Sequence, residues 1–397
     1  MLQRLYRQHR ELTLWLLVSG MLTIAGLVFS LIKGPDLAFP DERQYAEIAR
    51  NIIRINMFSL DGETPTAYRP PGYPIFLLLP FSVYDSVHTA RIANFLLLAG
   101  ALILLHGIVS KFYSRGAGWS AVFLIFCYPV LMYTAGTLYP QTLALFLIVA
   151  ISWLLMLGRE SLALAITVGL ANGYLALVAP LYLFTLPLCV LLAPLLCGWS
   201  WRNGIVVVLV ALLLLGSWSV RNYVALGVPV FISTNIAGNL AESEVSTPET
   251  AVEVPDSHTL SNADVRKPRF GVLRIVASIV RQPGDYFSKV GNYFHFRNKL
   301  VTSTEQTAFR DIVMFVSYYS IVALVILRLG IRKKIELCKF DTWVLAMYFS
   351  AALFHALAFT RIRYRLPLDF LLLGVAGIGL YWLLEMIRQK VVVSRTN

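Results

Sequence analysis

Charge is what this sequence has least of. Asp, Glu, Lys and Arg make up only 14% of its 397 residues, against 57% hydrophobic, and the mean hydropathy is +0.68. That balance excludes an ordinary soluble domain and fits a chain that crosses a membrane repeatedly. Cysteine is also scarce. Cys127, Cys189, Cys197 and Cys338 form no CxxC pair, so neither a disulfide framework nor a cysteine zinc site is expected. Cys189 and Cys197, on one helix, would lie about 12 Å apart, too far to bridge. His258, His295 and His355 have no metal-ligand spacing and read as structural. The chain lacks a GxSxG elbow, a Walker loop, an HExxH helix and a dinucleotide fingerprint. The glycines of Gly374 to Gly379 sit within an apolar run, where they serve close helix packing. Acidic residues are fewer than basic ones, giving a net charge of +12. The basic residues form short clusters between apolar runs without a nucleic-acid motif, so no nucleic-acid partner is expected.

What the chain has in abundance is apolar runs near the length of about 20 residues that spans a bilayer. They cover approximately 12–32, 88–111, 117–135, 139–157, 161–179, 181–197, 204–222, 311–329, 340–360 and 366–386. Arg4, Arg7 and Arg10 place the N-terminus in the cytoplasm by the positive-inside rule. Lys111 with Arg115, Arg159, Arg202, the cluster Arg328, Arg332, Lys333 and Lys334, and the tail with Arg388, Lys390 and Arg395 then fall on the same side. The expectation is an all-α, multi-pass bundle of ten spans in the plasma (inner) membrane. Three parts follow: an N-terminal membrane module over 1–230 with its first outer loop at 33–87, an extracytoplasmic segment over 231–309, and C-terminal spans over 310–397. Within the middle part, 271–299 reads as two short helices broken at Pro283-Gly284.

Charge concentrates in the first outer loop. Asp41 and Glu42 open it, and Glu42 to Ile55 has helical spacing. Tyr45, Ile48, Ala49, Ile52 and Ile53 form one stripe, with Arg43, Glu47, Arg50 and Arg54 opposite, as in a helix lying in the membrane interface. Asp41 reads either as a general base, taking a proton from an attacking hydroxyl, or as the N-cap of that helix. Tyr68-Arg69-Pro70-Pro71-Gly72-Tyr73 then turns the chain into a short apolar segment, 75–83. Arg69 reads as a phosphate ligand on a stiff turn or as a side chain snorkelling to headgroups. Arg361, Arg363 and Arg365 break the charge rule by falling on the outer side, and guanidinium forks suit phosphate there. Arg365 is also placed to pair with Asp369 at i,i+4. Trp218, Arg221, Asn222 and Tyr223 end the seventh run, as an aromatic belt or a substrate contact.

The order of these motifs resembles a family. Asp-Glu opens the first outer loop and is followed by YxxIA at Tyr45 to Ala49. Arg69-Pro-Pro-Gly-Tyr-Pro comes next, then W-x-x-R-N-Y at Trp218 to Tyr223, Val-Phe-Ile-Ser-Thr-Asn at 230–235, and R-Y-R-L-P at Arg363 to Pro367. This is similar to the GT-C membrane glycosyltransferases, in the protein-mannosyltransferase-like branch that includes the aminoarabinose transferases acting on lipid A. The resemblance implies transfer, with inversion, of a sugar from a polyprenyl-phosphate donor to an acceptor on the extracytoplasmic face. The acceptor would be a glycan, glycolipid or protein. It implies Asp41 as base, with Glu42 orienting it or meeting the acceptor, and Arg69, Arg363 and Arg365 on the donor phosphate. Tyr45, Tyr68, Tyr73, Arg221 and Arg361 complete the expected substrate-binding set. The sequence departs from the family pattern at Tyr68 and Gln141, where relatives carry acids. No cofactor is therefore expected, although a divalent metal stays open. A transporter or flippase for a lipid-linked sugar would also want an arginine-lined groove, and a glycan polymerase or ligase would share the donor. No inverted repeat of the transporter kind is present.

Overall fold

The computed structural model describes residues 2–158, 160–235, 283–296, 308–333, 336–357 and 360–396. Among these residues all regular elements are helices, and each of the ten apolar runs is helical. In chain order they are α1 (Leu2–Lys33), α2 (Pro40–Ile55), α3 (Gly72–Val83), α4 (Val87–Phe112), α5 (Arg115–Phe126), α6 (Pro129–Ala135), α7 (Gln141–Leu155) and α8 (Leu162–Val178). Then come α9 (Thr185–Leu192), α10 (Trp201–Leu226), α11 (Pro283–Tyr293), α12 (Ala308–Gly330), α13 (Lys339–Ala356) and α14 (Ile362–Thr396). Six helices among the described residues are long and apolar enough to cross a membrane, or seven if the bent α5–α6 pair is one span. The chain is thus an integral membrane protein. The expected count of ten is not reached: α7 and α8 have only 15 and 17 residues, and α13, with Lys339 and Asp341 in its first turn, is not among the six. The run at 117–135 also bends by 68°, at Pro129, whose ring removes a backbone donor.

Local chemistry sets the helix ends. Ser86, Ser114, Ser161 and Ser200 precede α4, α5, α8 and α10, and each side-chain oxygen accepts a backbone N–H of the first turn. The long α14 forms the axis of the bundle. From Leu366 to Ile378 most of its side chains are buried, and it packs against α4, α5, α7, α12 and α13. A Cβ on Gly377 would lie 2.6 Å from the Ala121 nitrogen, so only glycine lets α14 approach α5 this closely. Lipid-facing α1 packs on α4, and α8 on α10.

The segment from Pro40 to Val83 folds as a helix pair, α2 amphipathic and α3 apolar. Tyr45, Ala46, Ile48 and Ala49 of α2 are buried, while Arg43 and Glu47 are exposed, and α2 lies on α3. Ile53 departs from the expected apolar stripe and is 45% exposed. Asn56, in the left-handed region at φ 57°, ends α2. Of the two helices expected over 271–299, one is described as α11, Pro283–Tyr293. The other lies outside the described residues, as do His258, Arg159 and Lys334.

Candidate active site

Three charged residues widely separated in the chain meet at the N-terminal end of α2. Asp41 Oδ1 is paired with Arg69 Nη2, and Asp41 Oδ2 lies 3.3 Å from Arg363 Nη1. Two guanidiniums, one from the turn before α3 and one from the first turn of α14, therefore converge on one carboxylate. The Arg69 side chain is 10% exposed and that of Asp41 24%, so the pair sits at the edge of the protein interior, where charge interactions exceed their strength in water. Arg69 Nε donates to Gln44 Oε1 at 2.6 Å, and its guanidinium lies over the rings of Tyr68 and Tyr45, 5.1 Å and 5.4 Å from their centroids. Arg363 lies over Tyr139 and Tyr364 at 5.5 Å and 5.0 Å. Its buried Nε has no hydrogen-bond acceptor among the described residues. Burial pushes the Tyr45 hydroxyl well above the usual phenol range, with Arg69 opposing; Tyr139 is raised for the same reason. Both phenols stay protonated at neutral pH.

The surrounding contacts fix this geometry. Glu42 is buried and its carboxylate is fully engaged: Oε2 accepts the Phe39 N–H at 3.1 Å and Oε1 the Leu138 N–H at 2.8 Å. It caps α2 and sews the helix to the connection before α7. Tyr73 is buried edge-on to Tyr45, with ring centroids 5.4 Å apart. Its hydroxyl accepts from Asn94 Nδ2 at 3.1 Å, and Asn94 also donates to the Thr137 carbonyl at 2.8 Å. Arg91 on α4 donates to the carbonyls of Gly34 at 2.5 Å and Asp36 at 3.1 Å, fixing the approach to α2.

The Arg69 turn is held from the other side by the end of α10. Arg221 Nη1 donates to the Thr66 carbonyl at 2.8 Å and Nη2 to the Phe58 carbonyl at 3.3 Å. Trp218 Nε1 and Asn222 Nδ2 donate to the carbonyls of Ile232 and Val230 at 2.8 Å and 3.0 Å. The segment so pinned pairs its own backbone with the turn, Thr234 N–H to the Ala67 carbonyl at 2.9 Å and Asn235 N–H to that of Tyr68 at 3.3 Å. Gly72 is required there, since a Cβ would stand 2.5 Å from the Val178 nitrogen. Its carbonyl accepts the Tyr174 hydroxyl at 2.8 Å. Beyond Arg221 lies a groove of about 420 Å³ lined by Ile52, Phe58, Ile75, Leu78 and Trp218.

The structure brings Asp41, Tyr45, Tyr68, Arg69 and Arg363 together, with Glu42 and Tyr73 behind them. Arg221 stands at the far side of the Arg69 turn. Arg361 lies just before α14. Arg365 is turned away from Asp41: it is buried against Asp369, 3.1 Å away. Gln44, Tyr139, Asn94 and Arg91 were missed by sequence reasoning. Gln44 could have been found, since it is a polar residue at i+3 from Asp41 that interrupts a helix's inner face; Arg91 is a charge inside an apolar run. Among the described residues no three His, Cys, Asp or Glu side chains converge as a metal site.

No protein-family model matches the sequence, and no curated protein matches it. Among solved structures, ArnT from Cupriavidus metallidurans bound to undecaprenyl phosphate has a similar fold. The TM-score is 0.57 at 13% identity, over 96% of this chain and 63% of that one. The same protein in the apo state gives a TM-score of 0.43 at 12% identity, over 94% of this chain and 78% of that one. This chain spans less than two thirds of the length of the lipid-bound neighbour. The chain thus shares the fold of that lipid-bound ArnT structure, and its architecture is the all-α, multi-helix bundle that the sequence led one to expect.

Proposed function

We propose that this protein is an inverting glycosyltransferase that moves a sugar from a polyprenyl-phosphate donor to an acceptor hydroxyl on the extracytoplasmic face of the membrane. The carrying observation is Asp41 held between Arg69 and Arg363. A carboxylate flanked by two guanidiniums is what displacement at a sugar phosphate needs: a base for the attacking hydroxyl and fixed cations for the leaving phosphate. The likeness to a fold that binds undecaprenyl phosphate supports the donor class.

In this reading the donor phosphate enters beside Asp41 and takes N–H groups of Arg69 and Arg363, including the buried Nε of Arg363 that lacks an acceptor among the described residues. That frees the Asp41 carboxylate for the acceptor. The acceptor oxygen attacks the anomeric carbon from the face opposite the phosphate, and its proton passes to Asp41. The bond from the anomeric carbon to the phosphate oxygen breaks, and the polyprenyl phosphate leaves with the electron pair. The new phosphate charge falls on guanidiniums already in place, which costs little reorganisation in a partly dry site. Glu42 and Gln44 act behind this front, Glu42 by holding the end of α2 and Gln44 by orienting Arg69. The apolar groove beside Arg221 suits a stretch of prenyl chain. No step calls on a cofactor.

Asp41→Asn keeps the size of the side chain and removes the base. It is expected to abolish transfer from an undecaprenyl-phosphate-linked sugar while leaving the thermal unfolding of detergent-solubilised protein within a few degrees of the parent. A fully active Asp41→Asn protein refutes the assignment.

A further inference from the structure

Arg365, two residues from Arg363, faces the other way. Its Nε meets the Asp369 carboxylate at 3.1 Å, and its Nη1 donates to the carbonyls of Tyr293 at 2.5 Å and His295 at 2.8 Å, at the C-terminal end of α11. Helix C-terminal carbonyls lack internal partners and carry the negative end of the helix dipole, so a buried guanidinium is their natural complement. Asp369 in turn accepts the hydroxyls of Tyr128 at 2.9 Å and Tyr348 at 2.8 Å. Tyr348 also contacts the Tyr318 hydroxyl at 3.1 Å. This buried hub ties α11, α12, α13 and the α5–α6 bend to the first turns of α14.

Those turns need the ties. Pro367 lies inside α14 and has no N–H to give the Arg363 carbonyl four residues earlier, so the backbone ladder is broken at Arg363. Constraints near it include the Tyr364 N–H to the Arg361 carbonyl at 3.0 Å, the Tyr182 hydroxyl on the Tyr364 carbonyl at 2.9 Å, the packing of Arg363 on Tyr139 and Tyr364, and the Arg365 hub. We propose that Arg365 is a positioning residue: through the hub it sets the Arg363–Asp41 contact and couples that contact to the carbonyl end of α11. The geometric claim stands apart from the glycosyl-transfer reading; its effect on phosphate recognition rests on that reading.

Hydrogen exchange by mass spectrometry on the full chain in detergent tests the coupling without any substrate. Tyr348→Phe removes one hydroxyl from the hub and keeps the ring, and Arg365→Lys keeps the charge and loses the fork. Both are expected to speed exchange about fivefold or more at 362–366 and also at 40–44, across the Arg363–Asp41 contact. In an Arg363→Ala background, Tyr348→Phe should add nothing further at 40–44. Faster exchange at 293–296 and 362–366 with 40–44 unchanged, or additive effects in the double variant, overturns the proposal and leaves Arg365 a packing residue. Undecaprenyl phosphate titration of the same proteins is the second arm. Weaker binding in Tyr348→Phe that disappears in the Arg363→Ala background supports a role in phosphate recognition. A parent protein that does not bind undecaprenyl phosphate sinks the functional reading, while the exchange data still decide the coupling.

Discussion

Arg69→Lys separates the geometry of the site from its charge. In the parent, one planar guanidinium serves two partners, Nη2 on Asp41 and Nε on Gln44. It is buried, and burial works against its charge, while the Asp41 carboxylate beside it favours the charged form, and its pKa is raised. Lysine keeps the charge and offers a single ammonium. It can follow Asp41 or Gln44 but cannot fork across both. The loss is one charge-assisted hydrogen bond and the paired presentation to a phosphate, each of order 1.5–3 kcal/mol. If one such interaction is made only in the transition state, kcat/KM for a polyprenyl-phosphate-sugar donor falls by about 10- to 150-fold. Arg69→Ala should fall further and also weaken undecaprenyl phosphate binding, since Asp41 and Gln44 then lose their shared partner. Gln44→Leu in the Arg69→Lys background should cost little more, because the contact is already broken. The assay is steady-state transfer in detergent or nanodiscs, with thermal melts as a folding control. An Arg69→Lys protein within twofold of the parent would show that a point charge suffices and would refute the forked arrangement as the active element.

Three further outcomes are expected. Gly72→Ala drives a methyl into the Val178 and Leu177 backbone, which should cost about 1–3 kcal/mol of stability and lower turnover by shifting Arg69; unchanged melting and activity would show that α3 can slide on α8. Arg328→Met removes the partner of Asp341, a pair at 2.6 Å with both side chains fully buried, and should cost about 3–5 kcal/mol, lowering the melting temperature with no specific effect on donor KM. Arg91→Met releases the loop carbonyls of Gly34 and Asp36; it should reduce turnover more than stability, and equal losses in both would limit Arg91 to packing.

Much of the site was legible because its chemistry sits where charge is scarce. Asp41, Arg69 and Arg363 stand out in a greasy chain, and the stiff Pro-Pro-Gly turn marks where Arg69 is held. Arg365 was harder to place. From the sequence it reads both as a phosphate ligand and as the i,i+4 partner of Asp369, and two residues of helix turn by about 200°, so it and Arg363 face different neighbours. The glycine at 72 could be read as a turn residue, but its need for zero side-chain volume comes from α8, a hundred residues on.

The sequence alone determined the solvent and the class of this protein. Runs of apolar residues with little charge can satisfy their backbone groups in lipid only as helices, and the described residues of those runs fold as helices, some of them broken. Amphipathic spacing likewise dictated that α2 would lie on its Tyr45–Ala49 side. Tertiary structure decided which of these helices are long and straight enough to span, and which charges meet. Asp41 and Arg363 are 322 positions apart, and nothing in local spacing encodes their contact. It arises because α14 packs along the bundle axis and delivers its first turn to the end of α2, with the orientation of that turn set by buried partners from four other parts of the chain.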